Sequence, residues 1–398
     1  MSLPKIILAL LGAGLACCGP AAAADPIVIG VLTDMSGVYA DFNGRGLVRA
    51  VEIAVREHGG TVLGRSVRVE SIDPQGKADN ALTAARQWID RDHAPVLLES
   101  VNSVAAIALQ KLTEEKKTLF FSFSGTSALT NEACSPYGIQ YVWNNYAMSG
   151  GAGKSETRPG EKWFFVTADY TFGKTLEEET RKVVEARGAK VVGVVRHPLG
   201  TADFSSYLLQ AQAAGAQVLA LANAGRDTQN AVLQATEFGL PAAGIRVQPL
   251  LMFDTDIRGI GLKNAQGTHF VTSFYWDQND RARSFSKTFF EAHQAMPSMN
   301  QAGAYSATLQ YLRAVEATGT LDPDAVRMQL GKMRIDDAFV SGGTIQSNGN
   351  MLHDLSLMEV KSPTESIGPW DIAKLVRRIP GADVYQPLAE STCRFLAH

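Results

Sequence analysis

The chain has 398 residues, 45% of them hydrophobic and 19% charged, and a formal net charge of −3. That length gives room for two or three domains with sizeable cores. The near-neutral balance, with no basic patch interleaved with aromatics, gives no reason to expect nucleic acid or anionic lipid as a partner.

The start of the chain reads as a targeting segment. One lysine precedes a short apolar run at 6–15, and Ala22-Ala23-Ala24 before Asp25 is an Ala-x-Ala cleavage site, so 1–24 is expected to be a signal peptide. The run is too short for a stable anchor. A rival reading is lipoprotein processing at Cys17 or Cys18, because Leu15-Ala16-Cys17 loosely resembles a lipobox with imperfect spacing. Both readings export the protein to the periplasm. Cleavage after Ala24 leaves only Cys134 and Cys393, an even pair in an oxidising compartment, for which a disulfide is expected and two separate buried thiols are the alternative.

Pro26-Ile27-Val28-Ile29-Gly30-Val31-Leu32-Thr33 is a nearly unbroken apolar run, the pattern of a strand buried on both faces of a parallel sheet. A polar turn at 34–42 follows, then a helix with Leu47, Val48, Val51, Ile53, Ala54 and Val55 on one wide face. A strand that feeds a helix puts the intervening loop at the carboxyl edge of a sheet, where open α/β sheets bind ligands. The alternation continues with strands at 66–73, 95–100, 118–123 and 140–143 and helices at 77–91 and from Ser103 to near Glu114. The glycine-rich stretch 149–160 reads as an exposed connection between two halves. Beyond it strands are expected at 162–167, 190–196, 217–222, 247–253 and 267–273, with helices between them. Two successive sets of βα units predict two parallel sheets and an α/β fold. Three helices at 281–295, 299–317 and 322–333 come next. Segments 342–346 and 354–360 then predict a hairpin about Asn348-Gly349. The remaining tail, with Trp370 and Cys393, is too apolar and aromatic for a disordered tag.

The chain offers little chemistry. Gly151-Ala152-Gly153-Lys154-Ser155 resembles a phosphate loop, but Met148 stands where that loop needs its first glycine. Gly44-Arg45-Gly46 fails as a dinucleotide fingerprint because Arg49 takes the third glycine position. The seven histidines show no pair at metal-ligand spacing, and no Gly-x-Ser-x-Gly elbow occurs. Glu177-Glu178-Glu179 reads as a solvated helix face. No enzyme, cofactor or metal is therefore expected. What remains is a set of small polar and aromatic residues on loops after strands: Ser36 and Phe42, Asn102 and Ser103, Ser124 to Thr126 with Gly125, Tyr170 and Phe172, Asn223, and Asp254. Hydroxyls and amides at helix N-termini suit a carboxylate, and aromatic walls suit an apolar body. Taken singly, each of these is also an ordinary cap or turn residue.

Gly30-Val31-Leu32-Thr33 with Met35-Ser36-Gly37, the helix Ala50-Val51-Glu52-Ile53-Ala54, and Gly64 before the second strand form a recognisable pattern. Ser122 through Thr126, Ala168-Asp169-Tyr170 with Phe172-Gly173, and Glu237-Phe238-Gly239 continue it. The chain resembles the type I periplasmic solute-binding proteins of ABC transporters, in the leucine/isoleucine/valine-binding branch. The resemblance implies a monomer of two α/β lobes joined by three hinge crossings, which closes on a ligand and delivers it to a membrane permease. It divides the chain into a first lobe (25–145 plus 273–338), a second lobe (146–272 plus 339–361), and a tail (362–398) returning to the first lobe. It implies a ligand serine at Ser103, a carboxylate site at Ser124 to Thr126 and a first-loop aromatic at Phe42. Phe172 stands where the family has a tyrosine, with Tyr170 close by. The acid that holds an amino-acid ammonium falls on neither Asp254 nor Asp256 unambiguously, and Asn223-Ala224-Gly225 replaces the usual tyrosines. These departures point away from branched-chain amino acids, and the tail around Pro387-Leu388-Ala389 is similar to that of aromatic-acid binders. The expected ligand is a small carboxylate with an apolar or aromatic body. A branched-chain or other amino acid is the alternative, and a ligand-sensing module acting through a partner is a second one.

Overall fold

The computed structural model describes residues 25–396, so the expected signal peptide and the Cys17/Cys18 alternative lie outside the described residues. Strand β1 (Ile27–Thr33) is buried along its whole length, as its unbroken apolar run requires. It leads to α1 (Gly44–Glu57), whose buried face includes Leu47, Val51, Ile53 and Ala54. A short β2 (Thr61–Val62) turns into β3 (Arg65–Ile72), followed by α2 (Ala78–Asp90), β4 (Val96–Ser100), α3 (Ser103–Lys116), β5 (Leu119–Ser122) and β6 (Gly138–Gln140). These strands form one sheet in the order β2-β3-β1-β4-β5-β6. β1 pairs in parallel with both β3 and β4, and only β2 runs antiparallel. The alternating burial of β3 fits its place near the edge.

The glycine-rich stretch is a helix, not an exposed connection. Residues 145–156 form α4 (Asn145–Glu156), capped by Asn144, whose side chain accepts from the Ala147 amide at 2.8 Å. Its glycines are contact points: a Cβ on Gly153 would sit 2.7 Å from the Val183 side chain, and one on Gly151 would sit 3.0 Å from Val271. Small residues that permit close helix packing have the same composition as a linker, which is why the sequence misled there.

The second set comprises β7 (Lys162–Ala168), α5 (Thr171–Ala186), β8 (Lys190–His197), α6 (Ser205–Ala213), β9 (Val218–Ala222), α7 (Arg226–Glu237), β10 (Arg246–Pro249), α8 (Asp254–Ile260) and α9 (Leu262–Ala265). Its parallel sheet has the order β10-β9-β7-β8. Of the acidic triplet on α5 only Glu178 is exposed; Glu177 is buried beside Arg196 at 3.3 Å, and burial pushes the Glu179 carboxyl up to about 7. The acidic triplet is therefore not a solvated face, because the helix turns two of its three carboxylates inward.

β11 (His269–Thr272) precedes α10 (Asp280–His293), α11 (Met299–Thr318) and α12 (Pro323–Lys332). The Ser298–Gln301 capping box starts α11, and the helix is buried nearly all round. β12 (Ile335–Asp336), β13 (Ser341–Ile345) and β14 (Met351–Leu352) form a small antiparallel sheet. The hairpin about Asn348-Gly349 thus joins β13 to β14. The expected partner strand, β15 (Leu355–Val360), instead pairs with β11 and with β16 (Ala373–Ile379). Past β16 the tail reaches the first lobe, where Cys393 is bonded to Cys134 and the Ser391 hydroxyl donates to Thr130 O at 2.7 Å.

Two lobes result, with chain crossings after β6, after β11 and between β14 and β15. Buried polar groups lock the crossings together. His353 Nε2 lies 2.9 Å from Val142 O and from the Tyr385 hydroxyl, and Asn144 donates to Asn350 Oδ1 at 3.0 Å. The lobes are closed on each other. Phe42 stacks on Phe253 with ring centroids 3.7 Å apart and planes within 6°. The Tyr39 and Tyr170 hydroxyls touch, and the Arg226 amide donates to Val38 O at 3.2 Å.

Two expectations follow. Replacing Cys134 and Cys393 together by serine removes a link across 259 residues. Urea denaturation should show a stability loss of about 2–4 kcal/mol, and limited proteolysis should cut first in the freed tail beyond β16; digestion like that of the parent would mean that the Ser391–Thr130 bond and the bond from the Thr392 amide to Asn131 Oδ1 hold the tail alone. Gly225 has φ +61°, and a Cβ there would lie 2.3 Å from Val38 O in the opposite lobe. Gly225→Ala should therefore obstruct closure and weaken ligand binding by roughly tenfold or more. Small-angle scattering should show less ligand-induced compaction than in the parent, and equal compaction would place the closing contact elsewhere.

Candidate functional site

The loops that leave the carboxyl ends of the parallel strands meet in the cleft and line a common space between the lobes. From the first lobe come Tyr39, Phe42 and Asn43 after β1, residues 100–103 after β4, Phe123, Ser124 and Gly125 after β5, and Trp143 after β6. The second lobe contributes Tyr170 and Phe172 after β7, Ala224 after β9 and Leu251 after β10. This is the placement expected of a ligand site in open α/β sheets. Of the residues singled out from sequence, Phe42, Asn102, Ser103, Ser124, Gly125, Tyr170 and Phe172 line this space.

The walls are aromatic. Trp143 meets Phe172 edge-on at 6.1 Å and Phe253 edge-on at 6.5 Å, and Tyr170 lies 5.9 Å from Phe172. Burial, together with the hydroxyl contact between them, pushes the Tyr39 phenol up; burial first, then the nearby Asp227 and Asp34 carboxylates, pushes up that of Tyr170. Both phenols stay neutral at any ordinary pH. No lysine, arginine, histidine, aspartate or glutamate is among the lining residues.

The polar wall presents free donors. Ser103 is the first residue of α3, and its hydroxyl has no bond to protein among the described residues. Gln140 Nε2 donates to Ser124 O at 2.8 Å and to Thr126 O at 2.9 Å, and the Asn145 amide donates to Gly125 O at 2.7 Å. In trans peptides each N–H points opposite its C=O. The Gly125 N–H therefore points away from Gln140 and the Thr126 N–H away from Asn145, and neither finds a partner among the described residues. Gly125 is required here: a Cβ would fall 2.1 Å from the Trp143 ring.

Behind this wall sits Glu99 at the end of β4, with no exposed surface. Its Oε1 accepts from the Val101 amide at 2.6 Å, the Asn102 amide at 3.2 Å and the Ser124 hydroxyl at 2.9 Å, and its Oε2 from the Ser122 hydroxyl at 2.7 Å. Burial pushes its carboxyl up to about 7 in spite of these donors.

The side chain of Asn102, although the residue lines the cleft, and the remaining sequence-selected residues are spent elsewhere. The Asn102 side chain caps α3, accepting from Ala105 N at 2.9 Å, and donates to Gly76 O. Thr126 Oγ1 caps the following 3₁₀ turn, and the residue borders a neighbouring cavity with Tyr146, Thr175 and Glu179. Asn223 is fully buried, bridging His197 Nε2 at 3.1 Å and the Thr228 hydroxyl at 2.8 Å. Asp254 accepts from the Thr255 amide, and burial pushes its carboxyl up to about 7. Asp256 accepts from the Phe253 amide and from Gln229. Neither acid lines the cleft. Ser36 donates to Asp73 on the outside.

Sequence reasoning did not single out Tyr39, Asn43, Ser100, Trp143, Leu251, Asn300 or Glu99. Four of these form one network: Trp143 Nε1 donates to Asn300 Oδ1 at 2.8 Å, Asn300 Nδ2 to Asn43 Oδ1 at 2.9 Å, and the Ser100 hydroxyl to Asn43 Oδ1 at 2.6 Å. Their partners lie up to 257 residues apart. The one usable local sign was the polar pair Asn300-Gln301 at the head of a helix that is buried nearly all round.

The periplasmic binding protein family profile matches residues 26–365. A periplasmic binding protein from Burkholderia mallei superposes with a TM-score of 0.90 at 43% identity, covering 94% of this chain and 100% of that one. A branched-chain amino acid ABC transporter periplasmic ligand-binding protein from Burkholderia xenovorans LB400 gives 0.83 at 38% identity, covering 93% and 99%. A solute-binding protein from Rhodopseudomonas palustris HaA2, in complex with p-hydroxybenzoic acid, shares the fold at 24% identity and a TM-score of 0.81, covering 92% and 98%. Among curated proteins, Leu/Ile/Val-binding protein homolog 6 of Brucella melitensis biotype 1 is 25% identical over 310 residues, which is 75% of this chain and 78% of that one. With the two-lobed fold and the cleft site, these matches establish that the chain belongs to the periplasmic binding protein family, the non-catalytic solute-binding components that serve ABC transporters from the periplasm.

Proposed function

We propose that the protein captures a small carboxylate with an aromatic body between its closing lobes and presents it to an ABC permease for uptake. The observation that carries this reading is a cleft walled by aromatic rings, with free neutral donors at Ser103 and Gly125 and no charged side chain in its lining. Hydroxyl and amide donors suit a carboxylate without a cation, since hydrogen bonds to charged groups are the strong ones. Aromatic edges and faces suit a ring. An α-amino acid would bring an ammonium group into the same space with no lining carboxylate to receive it, a costly burial. The Rhodopseudomonas palustris HaA2 protein, which shares the fold, is in complex with p-hydroxybenzoic acid, a ligand of this class. The Burkholderia xenovorans protein's description keeps branched-chain amino acids as the rival.

A thermal-shift series decides between them, because a ligand that binds only the folded state raises Tm. Benzoate and 4-hydroxybenzoate should raise it and leucine should not; a shift with leucine alone would overturn the reading. Ser103→Ala should cost about 1.5–3 kcal/mol of binding, tenfold or more in affinity. Thr126→Ala should leave affinity within a few-fold, because that hydroxyl caps a turn.

A further inference from the structure

We propose that binding of a carboxylate ligand takes up one proton at Glu99, so that this residue, behind the anchor, sets the charge the cleft accepts. The inference rests on the carboxylate reading above and deepens it.

Glu99 is fully buried and has no counter-charge among the described residues. The groups that face it are the Ser122 and Ser124 hydroxyls from β5 and its turn, and the Val101 and Asn102 amides from the turn before α3. No lysine, arginine, histidine or second acid is among the groups that shift it. Ser124 lines the cleft, and its hydroxyl has one hydrogen, which it gives to Glu99 at 2.9 Å. While Glu99 is ionised, Ser124 therefore offers the cleft only lone pairs. An anion held there would also lie two hydrogen bonds from a buried negative charge, about 5 Å away, and a like charge at that range disfavours the ionised form of both groups.

Protonation removes both obstacles. Ligand carboxylate, Glu99 carboxylate and one solvent proton become a bound carboxylate and a neutral Glu99 acid. With that proton on Oε1 and donated to Ser124 Oγ, the serine turns its own hydrogen towards the ligand. Free Glu99 titrates near neutrality, so the coupling falls in an accessible range: below about 7 the proton is already present, and above it each ligand must bring one. Asp227, pushed up to about 6, and Asp254, pushed up to about 7, lie in the second lobe, and His197 is shifted down by burial; none of them touches Glu99.

The test is calorimetric titration of the full mature chain with benzoate and 4-hydroxybenzoate between pH 5.5 and 8.5, in buffers of different ionisation enthalpy. Close to one proton should be taken up per ligand at pH 8 and almost none at pH 5.5, and affinity should fall up to tenfold per pH unit above 7. Glu99→Gln, an uncharged mimic of the acid, should abolish proton uptake and bind about tenfold more tightly than the parent at pH 8. If that variant does not fold, the proton count of the parent decides. Binding without proton uptake, or an unchanged proton count in Glu99→Gln, would overturn the coupling alone. Failure of both acids to bind at any pH would overturn the carboxylate reading and the coupling with it.

Discussion

The closed cleft is held by a short set of direct contacts between the lobes: Phe42 stacked on Phe253, Trp143 edge-on to Phe172 and Phe253, the touching Tyr39 and Tyr170 hydroxyls, the backbone bond from Arg226 to Val38, and a Gln229–Asp41 bond at 3.4 Å. An aromatic pair adds about 0.5–1.5 kcal/mol beyond its buried area, and a backbone hydrogen bond nets about 1 kcal/mol. Contacts this sparse leave the balance between open and closed to whatever fills the space between them, which is how a ligand shifts a two-state equilibrium. The rest of the molecule serves that seam. Two parallel sheets aim their carboxyl ends at it, and the His353–Val142–Tyr385 and Asn144–Asn350 bonds tie the crossing after β6 to the one between β14 and β15 and to the returning tail.

Within the seam, rigidity is concentrated on the first lobe. The Asn43–Ser100–Asn300–Trp143 network ties the loops after β1, β4 and β6 to the head of α11. Ser298 and Gln301 fasten that helix to the same loop through Phe42 O at 2.6 Å and Asn43 O at 3.0 Å. A buried network with its members satisfied resists deformation, so the first-lobe loops it ties together keep their shape whether or not the cleft is filled. The second lobe contributes mainly rings and apolar surface, which suits a wall that swings in last.

Much of this was legible in the chain. A strand buried on both faces declares itself by an unbroken apolar run, as in β1, and the strand-loop-helix order then places Phe42, Ser103, Gly125 and Phe172 at sheet ends without knowledge of the fold. The errors share one physical cause, the ambiguity of local composition. Gly150, Gly151 and Gly153 look like a linker and are packing points of a buried helix. Glu177 looks solvated and is buried beside Arg196. Asn223 and Asp254 sit after strands, as binding residues do, but they close internal hydrogen bonds instead. The Trp143–Asn300 bond spans 157 residues and leaves no local trace. Glu99 was hidden for a further reason: an acid at the end of an apolar strand gains its meaning only from the four donors that the folded chain brings to it.

The central claim is that a carboxylate is held by the neutral donors of the first lobe while aromatic rings from both lobes enclose its body. The most direct measurement is a crystal structure with 4-bromobenzoate, in which anomalous scattering locates the bromine and so fixes the direction of the ligand. The account predicts carboxylate oxygens within hydrogen-bond distance of the Ser103 hydroxyl and the Gly125 amide, with the bromine among Phe42, Trp143 and Phe172. A bromine beside Ser103 with the carboxylate turned to the second lobe, or a ligand seated in the cavity bordered by Thr126 and Glu179, would contradict it.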